Sequence, residues 1–189
     1  MLVHSAPSLY FRPEPMAAPE STTSQLISGT EALFSDFATP GTPTHVIVSH
    51  FSTTHVPTLD HAPSKKSPCG ELDPTFTLTP LIGLNAVRSY FDLLSMHYTR
   101  QKVTTHSIHA FPEKYQVVTT ASILWKWNKS KKEWTEDVEC TLDFDEQFRV
   151  RAFFVRTLSE DETCVMRAVD YDTPYFSSVR DTAPHAFSA

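Results

Sequence analysis

Between Lys114 and Leu158 apolar and polar residues alternate for 45 residues with no Pro or Gly to interrupt them. The run reads KYQVVTTASILWKWN, the polar turn KSKKE, WTEDVECTLDF, the turn DEQ and FRVRAFFVRTL. Val, Ile, Thr, Phe and Trp are dense in it, which suits a pleated, half-buried surface. Period-two alternation therefore predicts three antiparallel strands joined by short turns. In the first, Ala121, Ile123, Trp125 and Trp127 share a face opposite Thr120, Ser122, Leu124 and Lys126. In the second, Trp134, Glu136, Val138, Cys140, Leu142 and Phe144 oppose Thr135, Asp137, Glu139, Thr141 and Asp143. The third strand is apolar on both faces: Phe148, Val150, Ala152 and Phe154 on one, Phe153 and Val155 on the other.

Upstream the period changes. Ser21–Ser24 offers caps for a helix over about Gln25–Phe37, stopped at Thr39-Pro40-Gly41-Thr42-Pro43. A short helix or turn follows over Thr44–Phe51. Thr53–Asp60 reads as a strand that Pro57 confines to an edge or bulge, and Thr75–Thr79 as a short strand. Ala86, Val87, Tyr90, Phe91 and Leu94 recur at helical spacing over Leu84–Tyr98. Gln101–Phe111 reads as one more strand. Helices early and strands late predict an α+β domain over 21–169, with a Pro-rich arm at 1–20 and a polar tail at 170–189. The expected shape is a bent, mostly antiparallel sheet with three helices on its concave side.

Charge and cysteine usage narrow the function classes. A net charge of -6 and a pI near 5.8 speak against a nucleic-acid surface. The basic cluster at Lys129–Lys132 sits at a hairpin tip, where solvation explains it. Three cysteines, none in a CxxC, give no disulfide framework. No secretory leader and no apolar run of membrane-spanning length is apparent, so the expected location is cytoplasmic.

Candidate chemistry is sparse. The nine histidines form no HxH or HExxH, so no metal centre is expected. His106 and His109, three apart on a strand, are expected on opposite faces. No GxSxG supports a serine hydrolase. Glu136 stands alone as an acid on an apolar face; burial there would make it a second acid candidate. Two indoles on one face, Trp125 and Trp127, make a flat apolar wall for an aromatic or polycyclic ligand.

A helix pair, a strand ending in an acid, Gly opening a helix in GLNAVRSYF, and a long meander carrying W-x-W-N and F-D-E-Q-F-R-V appear in that order. From about Ser24 to Leu158 this order resembles the SnoaL-like and ketosteroid-isomerase-like branch of the nuclear transport factor 2-like superfamily. The resemblance implies a cone-shaped sheet with an apolar pocket. It puts the general-base position at Asp60, with His61 as the other candidate. It puts Tyr90, Phe91, Ala121, Ile123, Trp125 and Trp127 on the pocket wall, with Cys140 at the position of the family's protonated aspartate. An ungapped match turns Phe153 and Val155 inward, whereas alternation prefers Val150 and Ala152; the sequence alone leaves both options open. The steroid isomerases build their oxyanion hole from a tyrosine and that protonated aspartate. The first two helices hold Leu33 and Phe34 as the local counterparts of the tyrosine, so steroid isomerase chemistry is not expected.

Dehydratases of the superfamily pair His with a carboxylate and Tyr. By that resemblance Asp60, His61, His106 or His109 would meet Tyr90 or Tyr98 in the pocket for acid–base work. The expectation is a cofactor-independent lyase, isomerase or cyclase of secondary metabolism acting on an apolar small molecule. The alternative is a non-catalytic binding or dimerisation module. A homodimer is expected through the outer sheet face carrying Leu124, Thr141 and either Phe153 and Val155 or Phe154.

Overall fold

The computed structural model describes residues 21–64, 79–168 and Asp170. The arm at 1–20, most of the short strand expected at 75–79 and the tail after Asp170 lie outside the described residues.

Ser21 caps the first helix, α1 (Thr22–Ala38), its hydroxyl accepting from the Ser24 N–H. Leu26, Thr30, Leu33 and Phe34 form the buried stripe. The loop through Gly41 leads to α2 (Thr44–Val48). Strand β1 (Thr58–Ala62) begins after Pro57, five residues later than the sequence pattern predicts, and β2 (Leu81–Ile82) pairs with it. Helix α3 (Leu84–His97) starts at Gly83, whose φ of 91° is a backbone region that other residues rarely enter. Val87, Tyr90, Phe91 and Leu94 are its buried face.

Then come β3 (Tyr98–Phe111), β4 (Gln116–Trp127), β5 (Glu133–Phe144) and β6 (Val150–Thr157). The six strands form one open sheet in the order β2-β1-β6-β5-β4-β3. All pairs are antiparallel except β1 with β6. Strict alternation buries Val117, Thr119, Ala121, Ile123 and Trp125 of β4, and Glu136, Val138, Cys140, Leu142 and Phe144 of β5. These meet α1, α2 and α3 in a single core. The architecture is α+β, with the helices on the inner face of a mostly antiparallel sheet.

Bulges settle what alternation left open. The β5–β6 register shifts between Asp143 and Phe144, so Val150 pairs with Phe144 while Ala152 pairs with Asp143. The extra residue, Arg151, turns the strand by one face. Val150 therefore points inward, and so do Phe153, Val155 and Thr157. Each option held for part of the strand. Of the apolar residues expected on the outer face, Phe154 is there and 37% exposed, while Phe153 and Val155 are in the core. Val118 and Leu124 share that face, which also carries an Arg156–Glu139 ion pair and a Lys126–Glu133 ion pair.

Candidate active site

Several elements converge on one buried carboxylate. Glu136 of β5 is 0% exposed. Its Oε1 accepts from the Thr157 hydroxyl at 2.7 Å and the Val165 N–H at 3.3 Å, and lies 3.2 Å from His61 Nε2. Its Oε2 accepts from Trp125 Nε1 at 2.9 Å. A buried carboxylate needs such donors, because an unsatisfied one would be strongly penalised. His61 of β1 reaches the other way as well, with Nδ1 2.8 Å from the Tyr90 hydroxyl of α3. Burial alone would favour neutral imidazole. Hydrogen bonds to Cys164 and Glu136 and the charge of the Glu136 carboxylate act the other way, and the His61 pKa is raised above the usual 6.5. The shift favours the imidazolium form, in which both ring nitrogens donate, Nε2 to Glu136 and Nδ1 to the Tyr90 oxygen.

Burial raises the Tyr90 pKa despite the adjacent imidazolium, so its hydroxyl keeps its proton. With Nδ1–H donated to its oxygen, that hydroxyl hydrogen has no acceptor among the described residues. The arrangement is a proton relay: carboxylate, imidazolium, phenol, and a free O–H at its end.

Cys164 completes the cluster from the segment after β6. The ligand atoms of His61, Glu136 and Cys164 all lie within 4.8 Å of one another, so the trio has the composition of a three-ligand metal site. Both Glu136 oxygens already accept hydrogen bonds, and a cation would have to displace them. The segment around Cys164 is pinned across the end of the sheet: Trp134 Nε1 donates to Thr163 O, and the Tyr98 hydroxyl to Val165 O.

Beside the cluster lies a cavity of about 350 Å³. Its walls are the α1–α2 loop at Pro40–Pro43, Thr44 at the start of α2, Leu94 and Ser95 of α3, Tyr98–Arg100 at the start of β3, and Trp125. Trp125 thus faces the cavity while its indole N–H holds Glu136. Tyr90 and His61 do not line this cavity.

No protein-family model matches the chain, and no curated protein matches it in sequence. Solved structures match in shape. A pinacolase from Penicillium brevicompactum superposes with a TM-score of 0.57 at 16% identity, covering 80% of this chain and 93% of its own. An LEH-like epoxide hydrolase from M. tuberculosis gives 0.51 at 12% identity, covering 72% and 85%. A nuclear transport factor 2-like protein of unknown function from Burkholderia pseudomallei gives 0.51 at 12%, covering 73% and 92%. The chain has the nuclear transport factor 2-like fold. This is the fold the order of sequence elements implied.

Within the nuclear transport factor 2-like frame the sequence-derived candidates part company. His61, Tyr90 and Trp125 meet at Glu136. Asp60 does not join them. Neighbouring residues of a strand face opposite ways, and with Leu59 and His61 buried, Asp60 lies half-buried on the outer face opposite Phe154. His106 and His109 are both exposed on the outer face, rather than on opposite faces. A bulge between Thr105 and Ser107 adds one residue, leaving His106 2.7 Å from Ser122 Oγ and His109 opposite Val118. Phe91, Ile123, Cys140 and Phe153 are core residues. Burial pushes the Cys140 thiol up, with Glu136 and Glu139 adding to it. Trp127 is half-buried, its ring 4.6 Å from Tyr98 and 5.4 Å from Trp134. Sequence reasoning missed Thr157, Cys164 and Arg100. Glu136 was legible as the one acid on an apolar strand face.

Proposed function

We propose that this protein is a small-molecule enzyme that moves protons on an aromatic or polycyclic metabolite, in an isomerisation, dehydration or related rearrangement. The observation that carries the reading is the buried Glu136–His61–Tyr90 relay, which ends in a hydroxyl whose proton is uncommitted. Tyr90 lies behind the Trp125 wall of the cavity, so the indole would have to move aside before Tyr90 could give its proton to a substrate oxygen and the His61 Nδ1–H replace it. The resulting neutral imidazole, still held by Glu136, would recover a proton from substrate carbon through the same phenol, so the cycle is proton-neutral. Proteins of this fold that are named as a pinacolase and as an LEH-like epoxide hydrolase lend support by analogy.

The test is solvent-deuterium incorporation into a panel of aromatic ketones and tertiary alcohols, read by mass spectrometry. His61→Gln and Tyr90→Phe should each lower incorporation by about 100-fold or more while the fold persists. Incorporation that survives both substitutions ends the catalytic proposal. A non-catalytic ligand-binding module is the second reading. It is favoured by the position of the Trp125 indole, which stands between the cavity and His61. Ligand binding without any His61-dependent exchange would select it. We also propose a cytoplasmic homodimer, its contact centred on Val118, Leu124 and Phe154 of the outer sheet face.

A further inference from the structure

Arg100 is the charged residue that the relay does not use. It opens β3 directly opposite Trp125, on the inner face of the sheet. A bulge at Gln101 separates it from the regular alternation of the strand, which resumes with Lys102 opposite Leu124. The guanidinium carbon sits 4.4 Å from the centre of the Phe37 ring, and the side chain lines the 350 Å³ cavity. Burial pulls its pKa below the usual value, yet a guanidinium stays charged in any protein setting. Among the described residues no carboxylate pairs with it. A cation held this way has only a ring face to replace lost water, which is weaker than an ion pair. It is also the one charged side chain on the cavity wall among the described residues. Several neighbouring hydroxyls already donate elsewhere: Ser95 to Asp92 O, Thr99 to Asn128 Oδ1, and Thr42 to Thr39 O.

The geometry points to an anion-binding subsite at Arg100, so that the molecule taken by this cavity is an aromatic or polycyclic monoacid, its carboxylate on the guanidinium and its rings against Trp125 and Tyr98. The assignment deepens the small-molecule reading of the same cavity and rests on it. Planar guanidinium and carboxylate match in two parallel hydrogen bonds, and the apolar walls exclude water from them. The cavity volume lies at the lower end of the range for drug-sized ligands.

Equilibrium binding of 2-naphthoate and its neutral counterpart 2-naphthamide, measured by calorimetry on the full chain, tests it. The acid should bind the wild type at least about tenfold more tightly than the amide. Arg100→Met should abolish that preference, lowering the affinity of the acid far more than that of the amide, and Arg100→Lys should restore part of it. The Nε–H resonance of Arg100 in arginine-labelled wild-type protein should shift with the acid and not with the amide, a readout that needs no folded Met variant. Equal affinities in the wild type, no detectable binding of the acid, or a preference that survives Arg100→Met overturns the assignment. Binding through Arg100 without His61-dependent proton exchange would overturn the catalytic reading alone.

Discussion

At the scale of single residues, the site turns on which way β1 faces. A shift of one position exchanges Asp60 for His61, and the sequence pattern around Pro57 does not fix it. The packing does: Leu59 and His61 are buried on the side that meets α3. Glu136 was easier to see, because Trp134, Val138 and Cys140 around it are apolar. Thr157 and Cys164 carry no local signal; only the fold brings them to the carboxylate. The raised His61 pKa has a consequence for stability. A group whose folded pKa exceeds its unfolded value of about 6.5 stabilises the fold fully below the unfolded pKa, and the contribution fades as pH rises through the folded one. Melting temperatures from pH 6 to 9 should show the gap between wild type and His61→Gln narrowing as pH increases. A gap constant over that range would mean that His61 is neutral in the fold. Glu136→Gln leaves the imidazolium without its counter-ion, and should cost about 3–5 kcal/mol by chemical denaturation at pH 6.

At the scale of elements, the meander was legible because two strands alternate and a third is dense in β-formers, over 45 residues without a Pro or Gly. The bulges were not. Each adds one residue to one strand of a pair, and nothing in the composition at Gln101, His106 or Arg151 marks it. Every misassigned face downstream of a bulge follows from that one-residue offset. The bulge at Arg151 is what lets Val150 and Phe153 both face the core. Deleting Arg151 takes out the extra residue and should leave Val150, Phe153, Val155 and Thr157 all facing the core on a regular strand, so the variant should still fold. Arg151→Ala keeps the residue count and should change stability by less than about 0.5 kcal/mol. Circular dichroism melts on the two variants make the comparison, and a deletion variant that fails to fold would refute the account.

At the scale of the molecule, no helix among the described residues covers the outer face of the open sheet. Polar pairs such as Arg156–Glu139 occupy much of it, and the apolar part narrows to Val118, Leu124 and Phe154. If two copies join there, a single charge at the centre is enough to separate them. Phe154→Lys should convert a dimeric mass in light scattering to a monomeric one with little loss of thermal stability. A monomeric wild type would dispose of the dimer. Among the described residues no helix is long and apolar enough to cross a membrane.

Trp125 belongs at once to the cavity wall and to the donor set of Glu136. A guest that tilts the indole withdraws one donor from the carboxylate, which then holds the proton of its partner more firmly. Occupancy of the cavity and protonation of the relay are therefore thermodynamically linked. Near the His61 pKa, ligand binding should draw protons from solution. The enthalpy of binding 2-naphthoate should then vary linearly with the ionisation enthalpy of the buffer, and that slope should vanish in Trp125→Phe.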